Sequence, residues 1–265
     1  MKLDLEIKTE NLKNMNKKKI ILIAMGDSGG HIYPAFAIAE RLEDRFIKQN
    51  SKNSLLEIHF VHTGSNLSSK LLSSSSYFVH KISIGGLAVG QSFLIKIKTL
   101  LQLPMAFFKA IFLIRKIKPA VIFGTGGSVT FPVLIAGFFM RKKIAIWEAN
   151  TCLGLANKML APFVSKIFTV FPKVKSLSPK KQIGSSYPLR KQIKQANNSK
   201  LFSKDKFKIL VLGGSQGSLF LNKAVHQALQ DTKWREEIFI YHQTGDKSFD
   251  ELDKKYKSLH GSNRR

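Results

Sequence analysis

Ile20-Ile21-Leu22-Ile23-Ala24-Met25 runs straight into Gly26-Asp27-Ser28-Gly29-Gly30-His31, then into Pro34 and the spaced apolar residues Ala35, Ile38, Ala39 and Leu42. An apolar run, a glycine cluster and a helical period in that order read as a buried strand, a tight turn and a helix. The same succession recurs twice. Ala120–Phe123 leads into Gly124-Thr125-Gly126-Gly127-Ser128, and Phe207–Leu212 leads into Gly213-Gly214-Ser215-Gln216-Gly217-Ser218. Glycine allows a tight turn and close backbone approach to a ligand. The following helix points unpaired N–H groups and a partial positive charge at that place. Three such joints suggest a protein that grips diphosphate-bearing ligands.

Further strands are expected at Leu55–Val61, Val79–Ile84, Lys143–Trp147, Ile167–Val170 and Ile238–Tyr241. Helices are expected from Pro34 to about Phe46, over Phe131–Phe139, Gly154–Leu160, Leu219–Leu229 and Lys247–Leu259. Alternating strands and helices argue an α/β fold with a parallel sheet. The expected organisation is a flexible basic extension over 1–17, a first domain over 18–172, a Lys-, Ser- and Asn-rich linker over 173–206 and a second domain over 207–265. From 207 onward only two strands and two helices are expected, too few to cover both faces of a nucleotide-binding half-fold.

The chain has 265 residues, 44% of them hydrophobic, which suffices for a real core. Its 43 basic and 17 acidic residues give a net charge of +26. Such a surface favours an anionic partner: nucleic acid, an anionic membrane or phosphorylated substrates. The alternative is the background composition of AT-rich coding sequence, which enriches Lys, Ile, Asn and Phe. The single cysteine, Cys152, excludes an internal disulfide and fits a reducing compartment. The apolar run after Lys17-Lys18-Lys19 is too short for a signal sequence and meets Asp27. No run reaches the ~20 uninterrupted apolar residues of a membrane span.

His31 lies beside the first anion loop, where it could accept a proton from an attacking hydroxyl; the alternative is a polar helix cap. Trp147-Glu148-Ala149-Asn150 follows a strand, at the edge where α/β ligands bind. Asn150 offers a donor and an acceptor, or else makes an Asx turn; Glu148 caps, or pairs with a lysine. Arg190, after Tyr187-Pro188-Leu189, clamps a phosphate or is simply surface. Phe93–Pro119 mixes apolar and basic residues, with Pro104 starting or kinking a helix, and its Phe93–Arg115 part reads as a core helix or as a membrane-attachment surface. Zinc spacing, a P-loop, a nicotinamide-type G-x-G-x-x-G and an Asp-x-Asp pair are all missing.

In order along the chain, these motifs resemble the MurG family, peripheral membrane glycosyltransferases that add N-acetylglucosamine to lipid-linked muramyl-pentapeptide. Gly26–Pro34 is similar to the family's G-G-T-G-G-H-x-x-P, and Gly124–Val129 to its second loop. Trp147–Asn150 with Gly154, Asn157 and Lys158 resembles H-E-Q-N…G-x-x-N-K, and Tyr187–Arg190 resembles N-P-x-R. Gly213–Gly217 with Leu221-Asn222 matches G-G-S-Q-G…L-N, and His242–Gly245 matches the H-Q-[ST]-G that follows.

The resemblance implies a GT-B fold of two Rossmann-like domains, the second incomplete, with the active site in the cleft between them. It implies that Ser28, Gly29, Gly30, Asn150, Arg190 and Ser215 contact UDP-N-acetylglucosamine. It makes His31 the catalytic base. It assigns Gly126, Gly127, Ser128, Gly214, Gln216 and Gly217 to phosphate or acceptor loops. The implied reaction is an inverting, metal-independent transfer with no cofactor, in which helix amides stabilise the departing diphosphate. The implied partners are the UDP-sugar, an undecaprenyl-linked acceptor and the anionic inner-membrane surface, reached from its cytoplasmic face; no nucleic acid is expected. The chain departs from the pattern at Asp27 and Ser28, where the family has Gly and Thr, and at Trp147 and Ala149, where it has His and Gln. A carboxylate at Asp27 is expected to repel a diphosphate. The family's later S-G-x-x-T-x-x-E and H-Q-x-x-N blocks have no counterpart, so weak or absent catalysis is expected of this chain. A non-catalytic binder of the lipid-linked intermediate is the alternative, and a nucleic-acid binder the more distant one.

Overall fold

The computed structural model describes residues 18–49, 55–85, 93–175, 177–195, 207–214, 217–231 and 238–261. The chain divides into two compact units, Met1–Gln195 and Ala196–Arg265. The expected extension over 1–17 lies outside the described residues, as do Ser215 and Gln216.

The first unit is built on seven parallel strands. They are β1 (Lys19–Ala24), β2 (Leu56–His62), β3 (Phe78–Lys81), β4 (Val121–Gly124), β5 (Lys143–Glu148), β6 (Lys166–Thr169) and β7 (Gln182–Gly184). Their order is β3-β2-β1-β4-β5-β6-β7, so the chain reverses direction of travel at β1. In the register, Ile21 sits between Ile58 of β2 and Val121 of β4. Successive β1 side chains face opposite sides, as a strand requires. Leu22 and Ala24 join Ile122, Ile146 and Ile167 in one core, and Ile23 joins Ile58 and Phe60 in the other. Helix α1 (Gly29–Gln49) and helix α2 (Asn66–Ser73) pack on the second core through Ile32, Ala35, Ala39 and Leu72. Helices α3 (Phe93–Ile117), α4 (Thr130–Phe139) and α5 (Leu155–Leu160) cover the first through Ala110, Ile114, Leu134 and Leu160. A short α6 (Lys191–Gln195) ends the unit.

Three local expectations change. Helix α1 begins at Gly29, not Pro34: its first i→i−4 bond runs from Ile32 N–H to Ser28 C=O. Pro34 therefore sits in the second turn and only removes the bond to Gly30 C=O. Part of the linker expected over 173–206 is not a connection: Gln182–Gly184 pairs with Ile167–Thr169 as the edge strand. Three residues in a lysine- and serine-rich stretch carry no strand pattern of their own. Helix α3 continues through Pro104 rather than starting there, and is long and apolar enough, by composition, to cross a membrane. Its Ala106, Ala110, Leu113 and Ile114 are nevertheless buried in the sheet's core.

The second unit pairs β8 (Phe207–Leu212) with β9 (Ile238–Gln243) in parallel, with helices α7 (Leu219–Asp231) and α8 (Asp246–Gly261). Asn222 Nδ2 donates to Thr244 C=O at 3.0 Å, tying α7 to the end of β9.

Candidate functional site

The loops that leave the carboxyl ends of β1 and β4 touch backbone to backbone. A Cβ placed on Gly26 would lie 2.7 Å from Gly127 Cα and 2.7 Å from His31 Nδ1. Gly126 and Gly127 hold φ of 102° and 90°, a region that side chains resist. The His31 ring lies against this second loop: a Cβ on Gly126 would be 2.8 Å from its Nε2. Thr125 Oγ1 donates to His31 C=O at 2.9 Å, and Thr130 Oγ1 donates to Gly126 C=O at 2.7 Å. Ser28 Oγ and His31 Nδ1 are 2.9 Å apart. Of the expected site residues, Ser28, Gly29, Gly30, His31, Gly126, Gly127 and Ser128 thus form one contiguous pair of loops at the sheet's carboxyl edge. The N–H groups of Gly29 and Gly30 precede the first helical bond and are left to face outward along the α1 axis.

Burial pushes the His31 imidazole below the ordinary histidine range, against the opposing pull of the Glu148 and Asp27 carboxylates. A ring held neutral at physiological pH has an unprotonated nitrogen and can accept a proton.

The Asp27 carboxylate turns toward the end of β2, where it accepts hydrogen bonds from Thr63 Oγ1 and from Ser68 Oγ, the latter at 3.3 Å. Ser68 is fully buried and also contacts His62 Nδ1 at 2.8 Å. Since β2 and β4 flank β1 on opposite sides, the carboxylate and the His31 ring occupy opposite flanks of the loop. The two hydroxyl groups hold the carboxylate on the β2 side and fix the loop to its neighbour.

Glu148 is the organiser that the sequence reading undervalued. It is only 4% exposed and accepts four hydrogen bonds. Oε1 takes the N–H and Nδ2–H of Asn150, at 3.0 and 2.8 Å. Oε2 takes Gly154 N–H at 2.8 Å and Asn157 Nδ2–H at 3.0 Å. It caps the entry to α5 rather than meeting a lysine. Asn150 is left exposed with its carbonyl and one N–H unused, held by the carboxylate rather than by an Asx turn. A buried Glu two residues before an Asn at a strand end was the available signal.

Arg190 lies over the Tyr33 ring, its guanidinium carbon 4.4 Å from the centroid. Its Nε is buried without a hydrogen-bond partner, as is Trp147 Nε1. Trp147 meets Tyr187 edge-on at 5.3 Å. In the second unit, Gly214 and Gly217 have φ of 78° and 74°, and Gly214 N–H donates to Gln243 Oε1 at 3.1 Å. Among the described residues, no group of three or more His, Cys, Asp and Glu is placed to hold a metal ion.

The outer face of α3 leaves Leu101, Met105, Phe108 and Phe112 exposed, continuous with Phe139 of α4 through the Phe107–Phe139 ring contact. Exposure reaches 75% at Leu101 and 72% at Phe112. Lys98, Lys109, Arg115 and Lys116 are exposed on the same helix.

The glycosyltransferase family 28 N-terminal domain matches residues 20–169, and the family's C-terminal domain matches 208–263. The UDP-N-acetylglucosamine–N-acetylmuramyl-(pentapeptide) pyrophosphoryl-undecaprenol N-acetylglucosamine transferase of Bdellovibrio bacteriovorus is 35% identical over 246 residues, covering 92% of this chain and 66% of that protein. The enzyme of the same name from Thermodesulfovibrio yellowstonii is 34% identical, covering 90% and 65%. The chain therefore spans just under two thirds of the length of these curated relatives. Among solved structures, Acinetobacter baumannii MurG superposes with a TM-score of 0.64 at 21% identity, over 91% of this chain and 65% of that one. A Neisseria meningitidis UDP-GlcNAc 2-epimerase bound to UDP-GlcNAc gives 0.56 at 12% identity, over 92% and 69%. These likenesses show the GT-B type of α/β fold. With the N-terminal family model alone spanning more than half of it, the chain belongs to glycosyltransferase family 28, and within that family it resembles the MurG transferases.

Proposed function

We propose that this protein transfers N-acetylglucosamine from UDP-N-acetylglucosamine to an undecaprenyl-linked muramyl-pentapeptide acceptor, the reaction named for its curated relatives. The observation that carries this reading is the pair of interlocked loops that seats a neutral His31 at the carboxyl edge of the sheet. In the proposed step His31 accepts the proton of the acceptor hydroxyl. The hydroxyl oxygen bonds to the anomeric carbon as the bond from that carbon to the diphosphate oxygen breaks. UDP leaves from the opposite face, so configuration inverts. The Gly29 and Gly30 amides and the Arg190 guanidinium supply positive potential to the phosphates, and Asn150 supplies its free carbonyl and N–H. Ser215, Gly214, Gln216 and Gly217 belong to the donor side on this reading, and Gly126, Gly127 and Ser128 to the acceptor side.

A lipid-linked acceptor has to be met at a membrane. The exposed face of α3 with Phe139, flanked by lysines and arginine, suits shallow insertion among anionic headgroups. On this reading the protein works as a peripheral protein at the cytoplasmic face of the inner membrane. The deciding experiment is a transfer assay with UDP-N-acetylglucosamine and a lipid-linked acceptor analogue. Turnover that His31→Ala abolishes supports the proposal. Saturable acceptor binding without turnover by the same chain favours the non-catalytic binder instead.

A further inference from the structure

The turn bearing Arg190 is held by one stripe of helix α1. Arg190 stacks on Tyr33 at 4.4 Å. The next residue, Lys191, donates its N–H to Glu40 Oε2 at 3.1 Å and pairs its ammonium with Asp44 Oδ1 at 2.6 Å. Tyr33, Glu40 and Asp44 are spaced i, i+7 and i+11, which at ~3.6 residues per turn is a single face. The same helix opens at Gly29, on the first glycine loop. It therefore acts as a rigid bar joining that loop to the Arg190 turn.

What holds Arg190 matters as much as where it is held. A carboxylate partner would neutralise the guanidinium and consume its N–H groups. Glu40 and Asp44, the acidic residues of that face, instead bind Lys191. An aromatic face attracts the cation through the ring quadrupole and takes no N–H hydrogen bond from its edges. Arg190 Nε has no hydrogen-bond partner, and the guanidinium has no further partner among the described residues. We infer that Tyr33 is a positioning residue that presents the unspent N–H fork of Arg190 to a diphosphate. This rests on the donor-site reading of Arg190 given above.

The test follows Arg190 itself, by 15Nε arginine NMR on the full 265-residue chain titrated with inorganic pyrophosphate. The resonance is assigned by its loss in Arg190→Lys. In the wild type it is shifted upfield by the Tyr33 ring and moves on addition of pyrophosphate. Tyr33→Phe retains the ring and keeps both the shift and the titration midpoint. Tyr33→Leu abolishes the upfield shift and weakens the midpoint by about two- to tenfold, the range expected for a lost cation–ring contact. Tyr33→Met makes the same comparison should the leucine variant fail to fold. An unchanged midpoint in a folded ringless variant overturns the positioning role and leaves the Arg190 donor contact standing. A wild-type resonance that ignores pyrophosphate overturns both.

Discussion

Gly26 and Gly127 meet without room for a side chain on either: a Cβ on Gly26 would stand 2.7 Å from Gly127 Cα, and Gly127 sits at φ 90°. The contact joins the loops after β1 and β4, so relief by moving one displaces the other. Gly127→Ala is expected to destabilise the first unit by about 1–3 kcal/mol, since it adds both backbone strain and a collision. Gly184→Ala is the control, because a Cβ there meets nothing within 4 Å; it should stay within about 0.5 kcal/mol of wild type. Urea unfolding of the three proteins makes the comparison, and equal losses at both positions would contradict the interlock.

His31 should titrate below the ordinary histidine range, because burial outweighs the pull of Glu148 and Asp27. Glu148→Gln removes a carboxylate that raises the value, so the midpoint should fall further. A depressed histidine binds protons more readily when unfolded, so its stabilising contribution is complete above the ordinary histidine value. That contribution is lost as pH falls from there through the folded-state value. The acid limb of transfer activity should accordingly lie below the usual histidine range. Histidine-selective NMR titration of the two proteins reads the shift directly, and an upward move in Glu148→Gln would refute the assignment.

Asp27 is expected to stiffen its loop, not to weaken anion binding. Asp27→Ala strands the Thr63 hydroxyl and takes one acceptor from Ser68, and should cost about 1–3 kcal/mol. It should also lower the His31 midpoint, since one raising charge is gone. Were Asp27→Ala instead neutral in stability and tighter for pyrophosphate, the carboxylate would be facing the anion site after all.

The α3 surface gives a prediction that is independent of chemistry. Phe108 and Phe112 are 66% and 72% exposed, so replacing both with Glu should leave thermal stability nearly unchanged. Binding to vesicles containing anionic lipid should fall by tenfold or more, on the order of the apolar insertion lost together with two like charges added. Co-sedimentation measures it, and wild-type binding that survives in neutral vesicles at low salt but not in anionic ones would sink the docking surface.

Much of the fold was legible in the sequence. Ile20–Met25 and Ala120–Phe123 announce themselves as strands because burial on both faces demands continuous apolar runs; Phe207–Leu212 carries a similar run although Phe207, Leu210 and Leu212 are exposed. Gln182–Gly184 did not, since an edge strand of three residues needs only one neighbour and no pattern. The start of α1 was displaced to Pro34 because proline favours a first turn, whereas the N–H groups of His31 and Ile32 close a turn on Ser28 C=O first.

The site divides along the same line. Sequence by itself determined the order of strands, glycine loops and helices, and with it the family and the candidate residues. Spacing is a local property, and each loop is local. Only the tertiary structure decided that Asp27 turns to Thr63 and Ser68, that Glu148 spends both oxygens on Asn150, Gly154 and Asn157, and that Tyr33 carries Arg190. The Asp27 and Tyr33 contacts join segments far apart in the chain, brought together because the parallel sheet delivers the strand ends to one edge, whereas Glu148 bonds within nine residues of itself. No periodicity within a loop records which neighbour its side chains will find there.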